Sequence, residues 1–114
     1  MARQGSRVNA FVKKAERYFK VKNYAGAESV LRKGLVEIPG NSKLLHLAGR
    51  AAYHLGHYQE ALGLLQSTLT SAPNAEAYCD LGLVHRDQGN MEDSAVCFRT
   101  AIQHDPKLYP AHVN

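Results

Sequence analysis

The stretch SKLLHLAGRAAYHLGHYQEALGLLQSTLTSAP, residues 42–73, decides the fold. Its apolar residues Leu44, Leu45, Ala48, Ala51, Ala52 and Leu55 follow the three- and four-residue steps of one helix face. Gly56-His57 interrupts the pattern, and Tyr58, Ala61, Leu62, Leu65 and Leu69 begin a second stripe of the same kind. Glycine suits the helix end at 56 because it enters the left-handed conformation without strain. No run alternates with the two-residue period of a half-buried strand. The stretch therefore predicts two helices joined by a tight turn and closed by Pro73.

Outward from this pair the punctuation repeats. Pro39, Pro73 and Pro106 are 34 and 33 residues apart, and Ala15, Gly49 and Gly82 keep the same spacing. So do Ala27, Ala61 and Ser94. Three landmarks in one register mark an internal repeat. Gly89 ends a helix as Gly56 does, with Asn90 placed to cap the next helix and Asn74 the one before it. The spacing predicts helices over 7–21, 24–37, 42–55, 58–71, 75–88 and 91–104. The chain divides into a basic lead-in (1–7), units at 8–41, 42–74 and 75–107, and a truncated fourth first helix at 108–114. The expected class is all-α, built of stacked antiparallel helix-turn-helix hairpins.

These residues resemble the tetratricopeptide repeat. Its signature runs from an aromatic through Leu-Gly and a second aromatic to Ala, a third aromatic and a closing proline. The third unit supplies Tyr78, Leu81-Gly82, His85, Ser94, Phe98, Ala101 and Pro106. The second supplies Leu45, Ala48-Gly49, Ala52, Ala61, Leu65, Thr68 and Pro73, and the first Phe11, Lys14-Ala15, Tyr18, Ala27, Leu31, Gly34 and Pro39. The resemblance covers nearly the whole chain and implies a right-handed superhelical solenoid. Ala15, Gly49 and Gly82 then allow close helix approach opposite Ala27, Ala61 and Ser94. Phe11, Leu31, Leu45, Leu65, Tyr78 and Phe98 fill the gaps. Lys14 departs from Ala48 and Leu81 at its place, as suits the polar outer side of a first repeat.

A 45% hydrophobic and 21% charged composition is that of a soluble globular protein, and no run is long and apolar enough to span a membrane. No apolar run follows the basic start, so no secretory signal is visible. Cys79 and Cys97 sit in apolar helical segments, which fits buried thiols in the cytoplasm better than a disulfide framework.

Candidate chemistry is sparse. Of six histidines, His54 and His57 straddle the Gly56 turn, His46 is two turns from His54, and His104 and His112 flank Asp105-Pro106. No Cys-x-x-Cys, no His-Glu-x-x-His and no grouped carboxylates accompany them, so no metal is expected. Cys79 adjoins Asp80, but His85 lies six residues on and well around the helix, so no catalytic dyad is implied. Gly82 and Gly89 form no phosphate loop, and Tyr18, Tyr53 and Tyr58 read as core or rim. The expectation is no enzyme and no cofactor.

The resemblance implies that the first helix of each hairpin lines a concave face where a protein or peptide partner lies. The register stacks Lys13, Leu47, Asp80 and Asn114; Asn9, Lys43, Glu76 and Pro110; Glu16, Arg50 and Leu83; and Lys20, His54 and Asp87. With His46, Tyr53 and Cys79 these form the candidate groove. It is expected to run from basic (Lys13, Lys20, Lys43, Arg50) to acidic (Glu76, Asp80, Asp87), with Leu47, Leu83 and Tyr53 as apolar ground. Val12, Glu16, Leu47, Glu76 and Asp80 stand where chaperone-tail clamps of the family place carboxylate-binding side chains, which disfavours that ligand. The expected function is a protein-interaction scaffold, the N-terminal part of a longer protein.

Two rivals stand beside it. One is a docking segment of a larger enzyme of glycosyltransferase or sulfotransferase type. The other is a weak electrostatic adaptor whose basic first helix meets an anionic partner, nucleic acid or lipid, since residues 1–22 carry a net charge of +6 and the remainder −2. Without aromatic platforms, no specific nucleic-acid binding is expected. The stub at 108–114 is too short to cover Leu81, Val84, Phe98 and Ala101, so self-association through an uncapped end is expected.

Overall fold

The computed structural model describes residues 2–108, with side chains over 5–107. The described chain holds six α-helices: α1 (Ala2–Lys20), α2 (Tyr24–Glu37), α3 (Ser42–His54), α4 (Tyr58–Ser71), α5 (Ala75–Asp87) and α6 (Met91–His104). A 3₁₀ turn, Pro106–Leu108, follows where the fourth first helix was expected to begin. Tyr109–Asn114, including His112 and the rest of that expected unit, lie outside the described residues. Five helices match the expected spans closely. The first does not: α1 begins at Ala2, so the lead-in is helical. Residues 2–7 contain no proline, and their one glycine costs a helix only about 0.5–1 kcal/mol.

Local chemistry fixes the ends. Asn23, Asn41 and Asn74 cap α2, α3 and α5, accepting from the backbone N–H groups of Gly26, Leu44 and Ala77 at 2.9, 3.0 and 2.8 Å. Asn90 holds the equivalent place before α6, but its side chain makes no cap hydrogen bond, contrary to expectation. Gly56 and Gly89 take φ of +80° and +85° at the ends of α3 and α5, as expected.

The hairpins α1/α2, α3/α4 and α5/α6 close over small residues. A Cβ added at Gly82 would meet the Phe98 ring at 2.8 Å, and one at Gly49 would meet Leu65 at 2.9 Å. Ser94 is buried opposite Gly82 and donates its hydroxyl to that residue's carbonyl at 2.9 Å, so the polar group is satisfied.

Two apolar clusters stack along the array. Val12, Ala15, Ala27, Leu31, Leu44 and Leu47 join α1, α2 and α3. Ala52, Ala61, Leu65, Leu81, Val84 and Cys97 join α3 through α6. Ala51 belongs to the first and Ala52 to the second, so α3 is common to both. The apolar edge expected at the C-terminal end is not open. Leu81, Val84 and Ala101 are buried and Phe98 is half-buried. Leu81 and Val84 pack with Ala52, Ala61 and Leu65 of the preceding unit, and Phe98 lies against Gly82, so these side chains are not the exposed edge on which self-association was expected.

Candidate functional site

Helices α1, α3 and α5 line a cleft of about 700 Å³. Glu16 comes from α1, Ser42, Lys43, His46, Leu47 and Arg50 from α3, and Ala75 and Glu76 from α5. Pro73, Asn74, His104 and Asp105 close one end. The sequence places Glu16, Lys43, His46, Leu47, Arg50 and Glu76 in the groove, and the structure brings them to this one cleft. The end wall was missed as part of the site: Pro73 and Asn74 read from the sequence only as a closing proline and a helix cap, and His104 and Asp105 only as neighbours of Pro106.

The charges do not form the expected open gradient. Asp80 Oδ2 accepts from Arg50 Nε and Nη2 at 3.3 and 3.2 Å and from His46 Nε2 at 2.7 Å. Glu76 lies 3.8 Å from the same guanidinium. Farther along, Tyr53 donates its hydroxyl to Asp87 Oδ2 at 2.7 Å. These contacts stitch α3 to α5, so Arg50, Glu76 and Asp80 largely neutralise one another. Two of these contacts fall one place beyond the register mate, whereas Arg50 reaches back to Asp80, three places before Leu83. His46 meets Asp80, and Tyr53 meets Asp87. In the cleft, Lys43 and Glu16 have no ion-pair partner among the described residues.

Two tetratricopeptide-repeat family models match the sequence, one over residues 18–81 and the other over 75–108. The chain belongs to the tetratricopeptide repeat family. Tetratricopeptide repeats build protein-interaction scaffolds, and no helix of the described residues is long and apolar enough to cross a membrane. No curated protein sequence matches the chain.

Several solved structures share the tetratricopeptide fold. MamA superposes with a TM-score of 0.80 at 23% identity over 87% of this chain, which spans 58% of MamA. The Sgt2 tetratricopeptide domain from Aspergillus fumigatus gives 0.80 at 17% identity, covering 86% of this chain and 66% of that one. An O-GlcNAc transferase mutant from Thermobaculum terrenum gives 0.87 at 24% identity, covering 93% of this chain but 21% of that one.

Other expected groove residues of this tetratricopeptide array fall elsewhere. Cys79 is buried at 1% exposure, so it cannot meet a ligand. Burial, with Asp80 and Glu76 nearby, pushes its thiol up to about 11, which leaves it protonated at neutral pH. Cys97 is also raised, by burial and then by Asp93. Leu47 is buried and forms the cleft floor, while Leu83 is half-buried on α5. Lys13 and Lys20 are exposed on α1 outside the cleft lining. Asn9 lines a second crevice of about 490 Å³ with Val8 and Ile38.

His54 stacks on Tyr24 at 4.2 Å between ring centroids. Burial, then the Arg50 charge, lowers its pKa from the ordinary 6.5. Tyr53 is raised to about 12 by burial and by its bond to Asp87.

One histidine does meet grouped carboxylates, though only across units. His57, Glu28 and Glu60 bring ligand atoms within 4.8 Å of one another. Arg32 occupies the same place, donating to Glu60 at 3.0 Å and lying 3.5 Å from Glu28. The group therefore reads as an ion-pair staple of α2 to α4, with the guanidinium as its cation. Sequence spacing could not show it, because Glu28 and His57 are 29 residues apart.

Proposed function

We propose that the chain is a scaffold that holds a segment of a partner protein in the cleft between α1, α3 and α5. The observation that carries this is Arg50, held by Asp80 and Glu76 at the wall of a roomy cleft above the buried Leu47. A side chain fixed in advance loses little freedom when a ligand arrives. Unpaired Lys43 and Glu16 face the same space, so a segment carrying both charge signs around an apolar residue is complementary, and the charges set its direction. Two buried free thiols support a cytoplasmic setting.

A peptide-display selection on the chain tests this. Lys43→Glu and Glu16→Lys should each change the charge pattern of the selected peptides, whereas Arg99→Glu on α6 should not. Equal changes from all three would place binding outside the cleft. A second reading, a docking segment of a larger enzyme, draws support from the fit to the O-GlcNAc transferase over 93% of this chain. It predicts that the same cleft variants alter which substrates the joined catalytic domain modifies.

A further inference from the structure

The outward side of α1 carries charge that the cleft does not use. Lys13, Lys14, Arg17 and Lys20 are exposed on its last turns, and exposed Lys22 follows at once. None has a carboxylate at ion-pair distance among the described residues, whereas Arg7, Arg32, Arg50 and Arg86 each have one. Helical geometry puts Lys13, Lys14, Arg17 and Lys20 on one arc, opposite the buried Val12 and Ala15. Lys13 to Lys20 is a rise of about 10 Å. Val21, the first residue past the helix end, is 71% exposed. Glu16, the one acid of the helix, lines the cleft instead.

The shape of this face narrows its partner. A protruding helix edge offers no groove to enclose an acidic peptide. Single-stranded nucleic acid wants exposed rings to stack on. The nearest ring, Tyr18, is 36% exposed but stands as a single ring with one edge against Gly26, where an added Cβ would meet it at 2.5 Å, so it offers no row of platforms. A straight row of flexible cations beside an exposed valine suits a broad plane of diffuse negative charge. We propose that the outward face of α1 docks on the surface of an anionic phospholipid bilayer. Attachment is peripheral: the cations lie among the headgroups and Val21 dips at the boundary.

Sedimentation of the full chain with vesicles tests it. The chain should bind phosphatidylcholine vesicles containing about 30% phosphatidylserine in about 0.1 M salt, and detach in about 0.5 M salt as screening shortens. Each cation near such a surface strengthens binding about fivefold, so Lys14→Glu with Arg17→Glu should weaken it at least about 25-fold. Both residues lie outside the cleft, so peptide selection should be unaffected by this pair. Lys33→Glu with Arg99→Glu makes the same change in net charge on other helices and should leave vesicle binding intact. Failure to bind at low salt, equal binding to pure phosphatidylcholine, or equal loss in both double variants overturns the proposal. Tighter capture by duplex DNA than by the anionic vesicles also overturns it, and assigns the face to nucleic acid.

Discussion

Lys22 holds φ at +60° in the turn between α1 and α2, at the place where Gly56 and Gly89 serve the later units. A side chain in the left-handed region costs about 1–2 kcal/mol. Lys22→Gly should therefore raise stability by about 1 kcal/mol, read as a higher urea midpoint with unchanged slope. An unchanged midpoint would mean that the turn relaxes at no cost. His54 carries a pH effect of definite sign. Its folded pKa lies below the ordinary 6.5, so the unfolded chain binds more protons as the solution turns acid. The contribution is whole above pH 6.5 and is lost as pH falls through the folded value. Melting temperature should thus drop on acidification, and His54→Phe, which keeps a ring on Tyr24, should flatten that part of the curve. At this scale the sequence was a partial guide. Half of the cleft residues were legible because they lie on the first helices that the repeat marks out, but Cys79 was misplaced, since two adjacent helix positions can differ wholly in burial. The partners of Arg50 and Tyr53 were hidden because the register does not fix which diagonal neighbour a long side chain reaches: Arg50 spans 30 residues and Tyr53 spans 34.

The helix ends were readable at the scale of elements because glycine, asparagine and proline act locally. The start of α1 was not, because nothing in residues 2–7 stops a helix and nothing obliges one to begin there. Asn23 and Asn41 cap as Asn74 does, yet only the last was picked out from the sequence. The glycines separate packing from propensity within single helices. Gly63 of α4 is exposed with nothing within 4 Å of an added Cβ, whereas Gly82 of α5 faces Phe98 at 2.8 Å. Gly63→Ala should stabilise by about 0.5–1 kcal/mol, the ordinary helix preference. Gly82→Ala gains the same preference but must displace an aromatic ring in a packed hairpin, which costs about 1–3 kcal/mol. It should come out destabilised. Denaturant melts of the two variants decide the matter, and a stabilised Gly82→Ala would show that α5 and α6 can part without loss.

Across the whole molecule, the junctions between units are stitched on different sides. Units two and three are joined along the cleft by His46, Arg50 and Tyr53 reaching Asp80 and Asp87. Units one and two are joined through Arg32 with Glu60, Tyr24 on His54, and the packing around Leu44. Leu44 is fully buried, and its Cδ1 lies 3.2 Å from where a Cβ on Gly34 would sit, beside the Phe11 ring. Leu44→Ala should cost about 2–5 kcal/mol, a large part of the roughly 5–15 kcal/mol that holds a domain folded. In a repeat array each unit touches only its neighbours, so the loss should be felt unevenly. Amide exchange should accelerate first in α1 and α2, while α5 and α6, held by the second cluster, keep their protection longer. Leu65→Ala provides the contrast. That side chain packs on Gly49 in the second cluster, and its loss should loosen α3 through α6. If Leu44→Ala instead lowers protection equally in all six helices, the chain unfolds as one unit, and α3 transmits the defect through both clusters without attenuation.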